Sequence, residues 1–193
     1  MAAATVVVKE INGASGSKTY TTCSSTATSW FRVSDAHGSS SPSNKIPIPS
    51  SGMSYSYWKS YCAEVTANAD GNTLDNWKFY FTSNGDWQAG GKFGTNGGLK
   101  AGYSGSTYGF DISTYEQATG GNNADGNWNG IVMTNHTQIT TANNMPTSAT
   151  AYDSRTITST GSTNYFVLQT YVDTDATLGT VGAATAHIQY DES

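Results

Sequence analysis

Apolar and polar residues alternate with a period of two along much of this chain, most plainly over residues 164–172. There Phe166, Leu168 and Val172 share one face and Tyr165, Val167 and Tyr171 the other. Aromatic and β-branched side chains on both faces suit a pleated strand with cover on both sides, so this run predicts a central strand. Residues 183–190 alternate again, after the turn formers of 173–180. The same reading predicts strands over 4–11, 18–23, 29–33, 55–67, 74–82, 129–135 and 149–159, with strand-like patches at 92–93 and 99–101. In 55–67, Tyr57, Tyr61, Ala63 and Val65 line one face, and Trp58, Cys62 and Glu64 the other. In 74–82, Leu74, Lys78 and Tyr80 oppose Trp77, Phe79 and Phe81.

Turn chemistry separates these runs. Asn84-Gly85 predicts a hairpin after 74–82. Residues 35–51 read as a loop over the core, anchored by Ile46 and Ile48 and held extended by the prolines that follow them. The one predicted helix is short, 113–119, with Ser113 and Glu116 as a capping box and Gly120 as its stop. Roughly nine or ten strands without a repeated period predict an all-β fold, a β-sandwich of jelly-roll type first and immunoglobulin-like second. One domain spanning 1–193 is the expectation for this length.

Composition sharpens that picture. Charged residues make up 12%, about half the usual share, and Ser, Thr, Asn and Gly solvate the surface instead. That balance suits all-β proteins that work outside cells or in virus particles. The net charge is −5 and the nine basic residues are scattered. This argues against nucleic acid and against an anionic membrane, and no run is apolar enough to insert in one. The opening Met1-Ala2-Ala3-Ala4-Thr5 runs directly into Val6-Val7-Val8, without the basic start and longer apolar core of a signal peptide. Two readings follow: a mature secreted form, or a protein that leaves the cell by assembly and lysis.

Little in the sequence spells out catalysis, and the chain reads as a non-enzyme. His37, His136 and His187 have no metal-binding spacing, and no nucleophile elbow occurs in a suitable context. Asn123, Asp125 and Asn127 flank a glycine as calcium ligands do, as does the Asp70-Gly71-Asn72 turn, yet neither completes the twelve-residue calcium loop. Plain Asx turns explain both. Cys23 and Cys62 are the candidate disulfide; a bond would close about 40 residues and stabilise by roughly 4 kcal/mol, and two buried thiols explain them equally well. Trp87 and Trp128 sit in glycine- and asparagine-rich surroundings, unlike the tryptophans inside strands. They are the candidate glycan-stacking pair.

Three segments carry a resemblance: Ser54-Tyr55-Ser56-Tyr57-Trp58-Lys59-Ser60-Tyr61, Ser113-Thr114-Tyr115-Glu116-Gln117-Ala118-Thr119-Gly120, and the closing Tyr165-Phe166-Val167-Leu168-Gln169 with Ile188-Gln189-Tyr190-Asp191-Glu192-Ser193. Together they resemble small β-rich structural proteins of archaeal and bacterial tailed viruses and prophages. The resemblance is one of texture from Tyr55 onward, and it implies a capsid decoration, turret or tail-associated subunit located in the virion. The expected partners are further copies of the chain and other virion proteins. The mechanism expected is symmetric self-association, with the N-terminal strand 4–11 added to a neighbour's sheet edge. The runner-up is a secreted or cell-surface carbohydrate-binding sandwich with glycans at Trp87 and Trp128. No cofactor is expected beyond the weak calcium candidates.

Overall fold

In the computed structural model of the chain, residues 2–12, 19–23, 45–56, 59–82, 85–87, 90–104, 136–138, 149–164 and 166–193 are described. They form β1 (Thr5–Asn12), β2 (Thr19–Cys23), β3 (Ser54–Tyr55), β4 (Lys59–Ala67), β5 (Leu74–Thr82), β6 (Gly98–Ser104), β7 (His136–Gln138), β8 (Thr150–Asp153), β9 (Gly161–Ser162), β10 (Phe166–Val172) and β11 (Thr185–Glu192). One turn of 3-10 helix, Gly85–Trp87, follows β5. Among the described residues the fold is all-β, in two antiparallel sheets. The larger runs β2-β1-β4-β10-β6-β7, with β3 paired to β10 and β9 to β4. The smaller runs β11-β5-β8.

β10 is central, as its pattern predicts. It bonds β4 through Phe166↔Tyr61 and β6 from Phe166↔Tyr103 to Tyr171↔Gly98. Phe166, Leu168 and Val172 are buried. The predicted strand 55–67 is split into β3 and β4, with 57–58 outside the described residues. Both pieces lie along the partner formed by β9 and β10. Pairing passes from Glu64↔Ser162 to Tyr61↔Phe166, so the β9–β10 side carries one extra residue, a bulge.

β5 matches its predicted bounds but not its predicted faces. Leu74 is buried together with Trp77, Phe79 and Phe81. The cause is Asn76, at φ 55°, a left-handed conformation that Asn tolerates better than most residues. Its register with β11 slips there, between Gln189 and Asp191. The slip returns Leu74 to the core face that simple alternation assigns to its neighbours.

Both sheets contribute to one core. Phe79 of the smaller sheet stacks on Phe166 of the larger at 4.5 Å and 11°. Tyr61 stacks on the same ring at 5.4 Å, and Tyr152 meets Phe166 edge-on at 5.2 Å. Each buried ring contributes about 1.5–3 kcal/mol by leaving water, and each favourable pair about 0.5–1.5 more.

Several expectations are corrected. The N-terminal strand is not free to cross to a neighbour: β1 is paired on both sides, to β2 and to β4. Among the described residues β5 pairs with β11 and β8 and not with a strand directly following it, as the expected hairpin requires. Lys92 and Phe93 sit in a turn, and the strand there begins only at Gly98. The cysteines are free. Cys23 pairs across from Val8, which packs on the core, whereas Cys62 pairs across from Lys9, the next residue along β1. Successive residues point to opposite faces, so the thiols sit on opposite sides of the sheet. Ile46 and Ile48 are half-buried, as expected of anchors. The predicted helix 113–119 and strands 29–33 and 129–135 fall outside the described residues.

Candidate functional site

The smaller sheet presents one long edge. Among the described residues β11 pairs only with β5. Its backbone direction can be read from its end. Thr73 and Ser193 exchange both hydrogen bonds, at 2.7 and 3.0 Å. Leu74 turns the other way and exchanges both with Ile157, at 3.0 and 2.9 Å. In an antiparallel strand these directions alternate. Asp191, Gln189, His187 and Thr185 therefore aim their N–H and C=O at β5, while Tyr190, Ile188 and Ala186 aim theirs outward. Thr185, Ala186, Gln189, Asp191 and Glu192 are exposed, and β11 contains neither Lys, Arg nor Pro. Those are the residues that usually blunt an exposed edge.

The face of this sheet turned from the core is mixed. The Tyr80 and His187 rings stack at 4.7 Å and 10°. Thr82 Oγ1 and His187 Nε2 lie 3.1 Å apart. Gln189 faces Lys78 across the strands.

Beside this sheet, residues 86–97 and 173–182 are laced together. Gly182 N–H donates to Asp86 at 2.9 Å, and the Trp87 indole N–H donates to the Gly182 carbonyl at 2.6 Å. Asp173 accepts from the Asn96 backbone N–H at 3.1 Å and side-chain amide at 2.9 Å. Asp175 accepts from the Thr95 backbone N–H at 2.9 Å and hydroxyl at 2.6 Å. The Asn96 amide group holds the Asp173 carboxyl below its ordinary range, and the Thr95 hydroxyl does the same for Asp175. Gly94 makes the closeness possible: a Cβ there would lie 2.3 Å from an Asp175 oxygen, at φ +92°. The laced loop carries Leu178, 83% exposed.

Two further polar clusters are structural. At the β9–β10 bulge, Thr163 Oγ1 accepts from Ala63 N–H at 3.0 Å and donates to the Asn164 carbonyl at 2.8 Å. The Tyr152 hydroxyl lies 3.0 Å from it, and burial pushes that phenol above its ordinary pKa. Asp153 accepts from the Asn164 backbone N–H and pairs with Arg155 at 3.2 Å. Around residue 72, Glu192 accepts from Ala4 N–H at 2.7 Å and the Asn72 amide at 2.6 Å. These bonds, Ala4 first, lower the Glu192 carboxyl. The Asp70-Gly71-Asn72 turn is closed by Asn68, which accepts from Asn72 N–H at 2.9 Å and donates to its carbonyl at 2.7 Å.

Trp87 thus lies half-buried, tied to Gly182 and tilted against Phe93 at 5.1 Å; its ring anchors a loop instead of standing clear for a ligand. Trp128, Asn123, Asp125 and Asn127 lie outside the described residues. Among the described residues no group of three or more His, Cys, Asp or Glu is placed to hold a metal ion. Cys62 is buried, its thiol pushed up to about 12 first by desolvation and then by the Glu64 charge, which disfavours the thiolate. Sequence reasoning missed the Asp173–Asn96 and Asp175–Thr95 clasp, whose members are 77 and 80 positions apart. It also missed the outward set on β11, whose only sequence signal is a strand-length run without basic residues. No protein-family model, curated protein or solved structure matches this chain.

Proposed function

We propose that this chain is a non-enzymatic structural subunit that acts by self-association, with its two sheets packed as a β-sandwich of the jelly-roll kind. The observation that carries the self-association reading is the eight-residue edge β11, paired on one side among the described residues, with its two acids confined to its last two positions and without the lysine, arginine or proline that commonly keep sheet edges apart. The Phe79–Phe166 stack between the sheets supports the sandwich. Placement in a virus particle, as a capsid decoration, turret or tail-associated subunit, rests on the sequence resemblance and on the hydroxyl- and amide-rich surface. Light scattering of the purified protein across a dilution series tests the reading. A defined oligomer that persists on dilution is the expected result; a monomer at every concentration overturns it.

A second reading has its own observation. The stacked Tyr80 and His187 rings, with the Thr82 hydroxyl and Lys78 and Gln189 nearby, form a face with the ring and polar groups that glycans use. A glycan screen in which hits vanish with Tyr80→Ala tests it; hits that survive that change, or none, sink it.

A further inference from the structure

The outward set on β11 is self-complementary, and from it we infer that the partner at this edge is β11 of a second copy, paired antiparallel about a two-fold axis at Ile188. The inference rests on the self-association reading and specifies its contact. Residues opposite each other in an antiparallel pair share a face. A two-fold axis perpendicular to the sheet therefore pairs like parities only: Ile188 with Ile188, Ala186 with Tyr190, His187 with Gln189 of the second copy. Ala186, Ile188 and Tyr190 are the residues whose N–H and C=O point away from β5, as the Thr73–Ser193 exchange fixes. In this register each outward donor meets an outward acceptor, and the smaller sheets of two copies join as β8-β5-β11-β11-β5-β8.

The side chains agree with that register. On the core side Ile188 meets its own copy, extending the half-buried apolar row of Ile188 and Tyr190. On the other side His187, already stacked on Tyr80, meets the Gln189 amide. The acids do not face each other: Asp191 falls opposite Thr185, and Glu192 opposite Ala184. A register centred near Asp191 and Glu192 would instead set these acids directly across the new ladder, which is destabilising.

The test is Ala186→Pro. Ala186 is exposed and its N–H points away from β5, so proline there removes an outward donor and leaves the β5–β11 bonds intact; edge strands tolerate proline in that orientation. We expect dissociation at least tenfold easier than in the natural chain, by light scattering, with unchanged far-ultraviolet circular dichroism. Amide exchange gives a second reading on the natural chain: the Ala186, Ile188 and Tyr190 amides are protected in the oligomer and exchange quickly after dilution. An oligomer indifferent to Ala186→Pro, or one in which those three amides exchange freely, overturns the β11 pairing while self-association stands. If the variant fails to fold, the exchange pattern of the natural chain decides alone. A monomer throughout removes self-association, and the pairing with it.

Discussion

β10 and β11 are adjacent in sequence and alike in pattern, yet one is the centre of the larger sheet and the other the rim of the smaller. β10 carries no charged residue and is paired on both sides. β11 carries His187, Asp191 and Glu192 and, among the described residues, is paired on one. Alternation marks both segments as strands but does not say how many neighbours each has: β5, paired on both sides, carries Asp75 and Lys78, and β2, at the end of the larger sheet, carries no charge.

The largest effect expected from this contrast is on stability. Phe166→Ala should cost about 3–5 kcal/mol, since its ring is buried against three others. Ile188→Ala, half-buried on the rim, should cost roughly 1–2. Urea unfolding of both variants checks the ranking, and equal losses would dissolve the distinction between centre and rim. Next is the bulge beside β10. Asp153→Ala leaves the buried Asn164 N–H and the Arg155 guanidinium without their carboxylate, for a loss of about 2–3 kcal/mol. A smaller loss, about 1–2 kcal/mol, is expected for Asn76→Val, which puts a β-branched residue at positive φ in the strand that carries β11.

The smallest effect is acidity. Asp173, Asp175 and Glu192 have folded carboxyls below their ordinary 3.8, 3.8 and 4.5. A depressed folded pKa gives stability that is complete above the ordinary values and lost as pH falls through the lower folded ones. The urea midpoint should therefore drop between neutral pH and pH about 3, and Asp173→Asn with Asp175→Asn should flatten that drop. A midpoint insensitive to acid in the natural chain would mean the clasp contributes nothing.

Strands were legible in the sequence where both faces carry a consistent signal. β5 has its predicted bounds because aromatics fill one face from Trp77 to Phe81 and Leu74 marks its start. Its faces were not legible before Trp77, because one left-handed asparagine shifts the parity and nothing in the pattern marks it. Asn84-Gly85 suggested a hairpin on local grounds, but β5 is claimed on both sides by strands from the far end of the chain, and burying Phe79 and Phe81 between them outweighs turn propensity. Trp87 is half-buried for a related reason. Asp86 beside it accepts from the Gly182 N–H, and the Gly182 carbonyl accepts from the indole, so the polar surroundings belong to a clasp that only the fold assembles. The Asp173–Asn96 contact has no local signature, since only the fold brings its halves together.

The position of β10 also bears on how the chain reaches this state. The ladder between β4 and its partner joins residues a hundred positions apart, as Ala63 and Thr163 show. Closing so large a loop is slow, and topologies dominated by distant pairings fold in about milliseconds to seconds. During synthesis β1, β2 and β4 must wait for their neighbour with a sheet edge unpaired, until nearly the whole chain has emerged. Completion of the larger sheet therefore comes late, and β11, which follows β10 in the chain, reaches its place on the rim after the centre is available.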